Sequence, residues 1–194
     1  MNWDPNDGIS ESDDVYAARW HVTPQEAAVL GFLRPMSKAQ VVSYWWVLCG
    51  QDKARRGDGK GAVADYRQAC QTAPDRLMAQ NELAWALATN PDAAVRNGRE
   101  ALKIAESLVA KLRRVNWLET LAASHAEVGN FPQAEAVESE ARRIVAATSK
   151  GAAAMPWFES CIAAYSHGIS YARAVETGLI KVPATQGMLE SATR

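Results

Sequence analysis

The chain lacks paired cysteines. Cys49, Cys70 and Cys161 are an odd set with no CxxC spacing, which excludes a disulfide framework and a zinc site. All three fall in helical patterns and are expected to be buried, reduced core residues. Charge of one sign is also lacking. Lys and Arg total 21 against 22 Asp and Glu, a net charge of −1, so there is no basic face to displace the counterions of a nucleic acid. Long apolar runs are missing too. The best stretch, Val41 to Cys49, is interrupted by Ser43 and falls far short of the ~20 residues of a membrane-spanning helix. The N-terminus, MNWDPNDGISESDD, has neither the basic start nor the apolar centre of a secretory signal. These absences predict a cytoplasmic protein that neither inserts in a membrane nor binds nucleic acid.

Catalytic and cofactor motifs are equally scarce. His21, His125 and His167 stand in no HExxH pattern and have no Cys or Asp at metal-ligand spacing. His125 falls at an interhelical packing position and is expected to be a satisfied core histidine. Gly57-Asp58-Gly59-Lys60-Gly61 resembles a phosphate loop only superficially, because Gly61 stands where Ser or Thr must follow the Lys. A flexible turn is the expectation there. Glu119 and Glu127 are eight positions apart, roughly 12 Å along a helix, too far to share a proton or a metal. They are expected on a solvated face. No catalytic residue, metal or cofactor is predicted, and the chain is not expected to be an enzyme.

What is present is helical pattern. Residues 1–22 form an acidic arm, expected to be extended, with five acids and no Lys or Arg in its first fourteen positions. Thr23-Pro24-Gln25-Glu26 then sets out a capping Thr, a Pro at the first helical position and a Glu three residues after the cap. A second start lies at Ser37. Beyond it the chain repeats itself. Cys49-Gly50, Leu83-Ala84 and Leu121-Ala122 place a small residue after a bulky one. Ala62, Ala101 and Ala134 place another early in a following helix, and Gly57 and Gly129 mark turns. Copies are expected over about 43–76, 77–114 and 115–148, the middle one with a longer loop. From Pro156, residues Phe158, Cys161, Ile162, Tyr165, Ile169, Ala172 and Val175 recur at helical spacing. One capping helix is expected over about 155–177, with a tail over 179–194.

Over residues 43–147 this pattern resembles the tetratricopeptide repeat, a helix–turn–helix unit with small and large residues at set places. LAWALATNPDAAVRNGREAL followed by NWLETLAASHAEVGNFPQAEA is similar to a variant of that repeat common in bacteria. Lys53, His125 and Glu138 depart from the residue types usual at their positions. The resemblance implies an all-α, right-handed solenoid of about three helix pairs, with an extra N-terminal helix and a C-terminal capping helix. It also implies a concave partner-binding groove lined by Tyr44, Val47, Gln51 and Arg55, by Met78, Asn81 and Trp85, and by Asn116, Glu119 and Ala123. Trp85 reads either as packing on the long loop or as an interface anchor. Val47, Leu48 and Glu82 occupy places where repeat proteins that clamp the acidic tails of heat-shock chaperones need cations or amides, which disfavours that subclass. The basic clusters Lys53, Arg55, Arg56, Lys60 and Lys111, Arg113, Arg114 lie near helix ends, where cations are comfortable, or grip an acidic partner segment. The functional expectation is a protein-interaction module: a scaffold or adaptor subunit of a hetero-complex that binds through the groove, with its tails as a further contact, or an assembly chaperone or regulatory carrier holding a client transiently, with a protein or peptide as partner.

Overall fold

A computed structural model describes residues 2–3, 10–19, 22–31, 34–148 and 151–181. Nine residues of the arm, His21 among them, and the tail from 182 onward lie outside the described residues. The described chain is helical apart from one short antiparallel ladder, in which β1 (Asn2–Trp3) pairs with β2 (Ser10–Glu11). Part of the arm expected to be extended is a helix, α1 (Asp13–Arg19). Asp13 and Asp14 sit in its first turn, where acids offset the helix dipole.

Two capping boxes open the next helices. Before α2 (Pro24–Leu30), Glu26 N–H donates to Thr23 Oγ1 at 3.2 Å, and Thr23 N–H donates back to Glu26 Oε2 at 3.0 Å. Ser37 and Gln40 repeat the exchange ahead of α3 (Lys38–Arg55). These reciprocal bonds satisfy amides that a helix start leaves unpaired.

Six helices follow with short connections: α3, α4 (Gly59–Thr72), α5 (Leu77–Thr89), α6 (Gly98–Lys111), α7 (Val115–Glu127) and α8 (Phe131–Ala146). Each packs on the one before it and the one after it, and α5 also touches α3 and α7. The turns after α3 and α7 need a left-handed residue, supplied by Gly57 (φ 82°) and Gly129 (φ 79°). The longer α5–α6 loop is pinned by Arg96, whose Nε donates to Glu127 Oε1 of α7 at 2.7 Å and whose Nη1 donates to the Asn90 carbonyl at 2.7 Å.

Small residues set the spacing of these helices. Ala62, Ala84, Ala101, Ala122 and Ala134 are all buried. At Gly50 of α3 a Cβ would sit 2.5 Å from Cε1 of the Tyr66 ring on α4, so the ring occupies space that only glycine leaves open. Leu83, Leu87, Leu108, Leu118 and Trp117 fill the interior between the alanines.

The C-terminal end differs from the single capping helix that its apolar stripe predicts. After a 3-10 turn (Gly151–Ala154), α9 (Met155–Ser166) stops, and α10 (Tyr171–Glu176) starts on a new axis. Gly168 at φ 70° breaks the helix between them, although the apolar periodicity runs straight through the break. Helix α9 packs on α8, while α10 reaches back to α5 and α7.

Candidate functional site

The ten residues singled out as a groove do not form one surface. Tyr44, Arg55 and Met78 are exposed, and Gln51, Trp85 and Asn116 are half-buried. Val47, Asn81 and Glu119 are buried, as is Ala123. Val47 packs into the interface between α3 and α4. Asn81 of α5 accepts a hydrogen bond from Thr120 Oγ1 of α7 at 2.9 Å, and that hydroxyl also lies 2.9 Å from the Asn116 carbonyl. Trp85 is half-buried and packs against the core together with Val95 of the long loop. Its ring stands edge-on to Tyr171 of α10 with centroids 5.0 Å apart.

Glu119 departs most from its expected solvated position. Its Oε1 accepts from Trp157 Nε1 of α9 at 2.9 Å, and the Trp157 ring lies 5.9 Å from that of Tyr171. Burial pushes the Glu119 carboxyl up to about 7, against a smaller opposing effect of the Trp157 bond. Glu138 of α8 is buried beside it. Desolvation first, and repulsion from Glu119 second, hold its carboxyl well above the usual range, while a hydrogen bond with Cys161 of α9 pulls the other way. Glu138 Oε1 meets no donor among the described residues. Glu127 is not on a solvated face either, being taken by Arg96.

Sequence reasoning missed this pair of carboxyls because it asked only whether residues on one helix could meet. Glu138 did carry a signal: it stands where the repeat pattern favours an aromatic side chain. A buried carboxyl at that place calls for a special environment.

The other histidine and cysteine expectations divide. His125 is half-buried and lies 3.3 Å from Asn130 Nδ2 through Nδ1, and burial lowers its basicity. Cys161 is buried, but Cys49 and Cys70 are only half-buried, because both lie at the edge of their helix interfaces. Burial raises the Cys70 thiol to about 11, partly offset by Arg67, so it stays protonated at neutral pH. No group of His, Cys, Asp and Glu among the described residues is arranged to hold a metal.

The basic clusters are largely engaged within the chain. Lys53 Nζ lies 2.8 Å from Asp65 Oδ2, and Arg113 Nε donates to Glu140 Oε1 at 2.7 Å. Arg55 and Arg56 are exposed and share one carboxylate, Asp52, at 3.4 and 2.9 Å.

One broad apolar surface remains. Val41, Val42, Tyr44, Trp45 and Leu48 of α3 are all exposed, Trp45 at 65%, and Met78 of α5 is 46% exposed. Among the described residues no other helix covers this side of α3. Several large apolar side chains on one helix face are uncommon on a protein that works alone. No helix among the described residues is long and apolar enough to cross a membrane.

Comparison with family models, with curated proteins and with solved structures finds no match to this chain.

Proposed function

We propose that this chain is a tetratricopeptide-type module that holds another protein, acting as a scaffold or adaptor subunit, and that it docks through the outward face of α3. The observation that carries this reading is the exposed Val41–Tyr44–Trp45–Leu48 face of α3. An exposed Trp among apolar neighbours is a typical interface anchor. The recurring Ala and Gly positions, at which consecutive helix pairs pack closely, support the repeat reading.

The same face suggests the chemistry of the partner. At the C-terminal end of α3 two exposed guanidiniums, Arg55 and Arg56, share the single carboxylate of Asp52. Both guanidiniums stay exposed at that end of the apolar surface. A partner segment with apolar side chains and a neighbouring Asp or Glu fits both features. Of the residues expected to line a groove, Tyr44, Gln51 and Arg55 belong to this surface. Asn81 and Glu119 hold the fold together.

The test is affinity capture from the native host, followed by binding measurements between the purified chain and the protein identified. Trp45→Glu should weaken that affinity at least ~30-fold, the effect of losing a central aromatic anchor. Arg55→Ala with Arg56→Ala should flatten its salt dependence. Unchanged affinity for Trp45→Glu would overturn the α3 reading.

A further inference from the structure

The segment from Met155 to Ile180 packs on α8 through α9 and reaches α5 and α7 through α10, onto residues that the tetratricopeptide resemblance assigns to a partner. Its contacts there are specific. Tyr171 stands on Trp85, Trp157 donates to Glu119, and Ile180 is buried at the far end. Beneath it sit two carboxyls from different helices, Glu119 of α7 and Glu138 of α8, and one oxygen of Glu138 has no donor among the described residues.

The charges around this pair decide what it can do. From α9 it faces Cys161 and Tyr165, and from α10 it faces Tyr171. All three are acids that burial keeps protonated. From α5 comes Asn81, neutral and bonded to Thr120. The α6 carboxylate of Glu106 acts on His125, and His125, its basicity lowered by burial, carries no charge near neutral pH. On α8, Glu140 is taken by Arg113, and Arg142 and Arg143 are exposed. On α9 Glu159 is exposed, and on α10 Arg173 pairs outward with Glu176. No cation acts on either buried carboxyl.

We propose that α9 and α10 form a proton-gated strap over the α5–α7 face, docked while the Glu119–Glu138 pair holds its protons and lifted when the pair loses them. Two adjacent anions in a dry site with no counter-charge repel each other and lack hydration. Lifting the strap lets water reach both. The inference deepens the partner reading, because α3 stays open throughout while Trp85 and its surroundings become available only on release. It concerns the chain alone, however, and its test needs no partner.

The direction follows from linkage. The Glu119 carboxyl titrates near 7 when docked and near the ordinary 4.5 when released. Below 4.5 both states are protonated and docking is complete. Between 4.5 and 7 the released state gives up its proton while the docked state keeps it, so docking is progressively lost as pH rises. From pH 5 to pH 8 the opening constant should rise about 70-fold from Glu119 alone, and further with Glu138.

Hydrogen exchange read by mass spectrometry at pH 5 and pH 8, corrected for the intrinsic pH dependence of amide exchange, measures this directly. In the wild-type chain, peptides from 151–181 should lose protection by that factor and at both pH values exchange faster than peptides from α4 to α6, which open only with the whole fold. In Glu119→Gln and in Glu138→Gln the loss should shrink at least several-fold. A flat wild-type profile would overturn the proposal. So would protection of 151–181 equal to that of α4 to α6 at both pH values, or a Gln variant that folds and keeps the full pH response. If one Gln variant does not fold, the other decides. Failure here leaves the effect of Trp45→Glu on partner binding untouched, so the two readings fail separately.

Discussion

Trp157 and Glu119 stand 38 positions apart in the chain and are joined by a hydrogen bond from Nε1 to Oε1 at 2.9 Å. It ties α9 to α7 across the interior and gives a buried carboxyl a donor. Trp157→Phe removes the donor while keeping an aromatic ring. The expected cost is about 1–3 kcal/mol, the range for a buried polar group that loses its partner. Urea unfolding at pH 6 measures it. Because the indole favours the charged form of Glu119, the substitution should also move that carboxyl's titration upward.

The pH dependence of global stability has a sign set by the same group. The Glu119 carboxyl is raised from 4.5 to about 7 in the folded chain. Its favourable contribution is therefore complete below 4.5 and lost as pH climbs toward 7. The paired carboxylates Glu100 and Glu140 are held below the ordinary value by Arg67 and Arg113 and act oppositely, losing their contribution on acidification. Subtracting the stability of Glu119→Gln from that of wild type at each pH isolates the Glu119 effect. That difference should fall steadily between pH 4.5 and 7 in chemical denaturation. A difference that rises with pH would contradict the burial described for Glu119.

Close helix approach predicts intolerance to added volume. A methyl at Gly50 meets the Tyr66 ring, itself buried in the core. Gly50→Ala is expected to lower stability despite the better helix propensity of alanine. Ala62→Trp and Ala134→Trp, at positions with 1% and 0% exposure, should each cost about 1–3 kcal/mol or more through overpacking. Thermal unfolding of the three variants is the measurement, and melting points equal to wild type would mean the helices are not packed this closely.

Residues that looked alike as binding candidates should separate experimentally. Asn81→Ala is expected to cost about 1 kcal/mol of stability, moderated because the Thr120 hydroxyl keeps the Asn116 carbonyl in reach. Trp45→Ser, at an exposed site, should stay within about 0.5 kcal/mol of wild type while weakening partner binding. Denaturation and binding measured on the same two variants check both halves.

Local signals in the sequence were sufficient for the helices themselves. Thr23 with Glu26, Ser37 with Gln40, and the glycines at 57 and 129 act within a few residues, so the boundaries of α2 and α3 and two of the turns were legible. The small-residue positions Ala62, Ala101 and Ala134 were legible too, because close packing leaves the same mark each time it occurs. The break at Gly168 was not, since an apolar stripe keeps its period whether the helix is continuous or bent. Tertiary structure alone decided the candidate site. Asn81, Trp85 and Glu119 are residues that the tetratricopeptide resemblance assigns to a partner, but the turn at Gly168 carries Tyr171 back onto α5 and α7, and Trp157 reaches Glu119 from α9. Whether a helix face is open or covered depends on contacts between residues dozens of positions apart, and no periodicity within a single helix encodes them. The same holds for the charge state of Glu119 and Glu138, which depends on water being excluded by the helices packed around them.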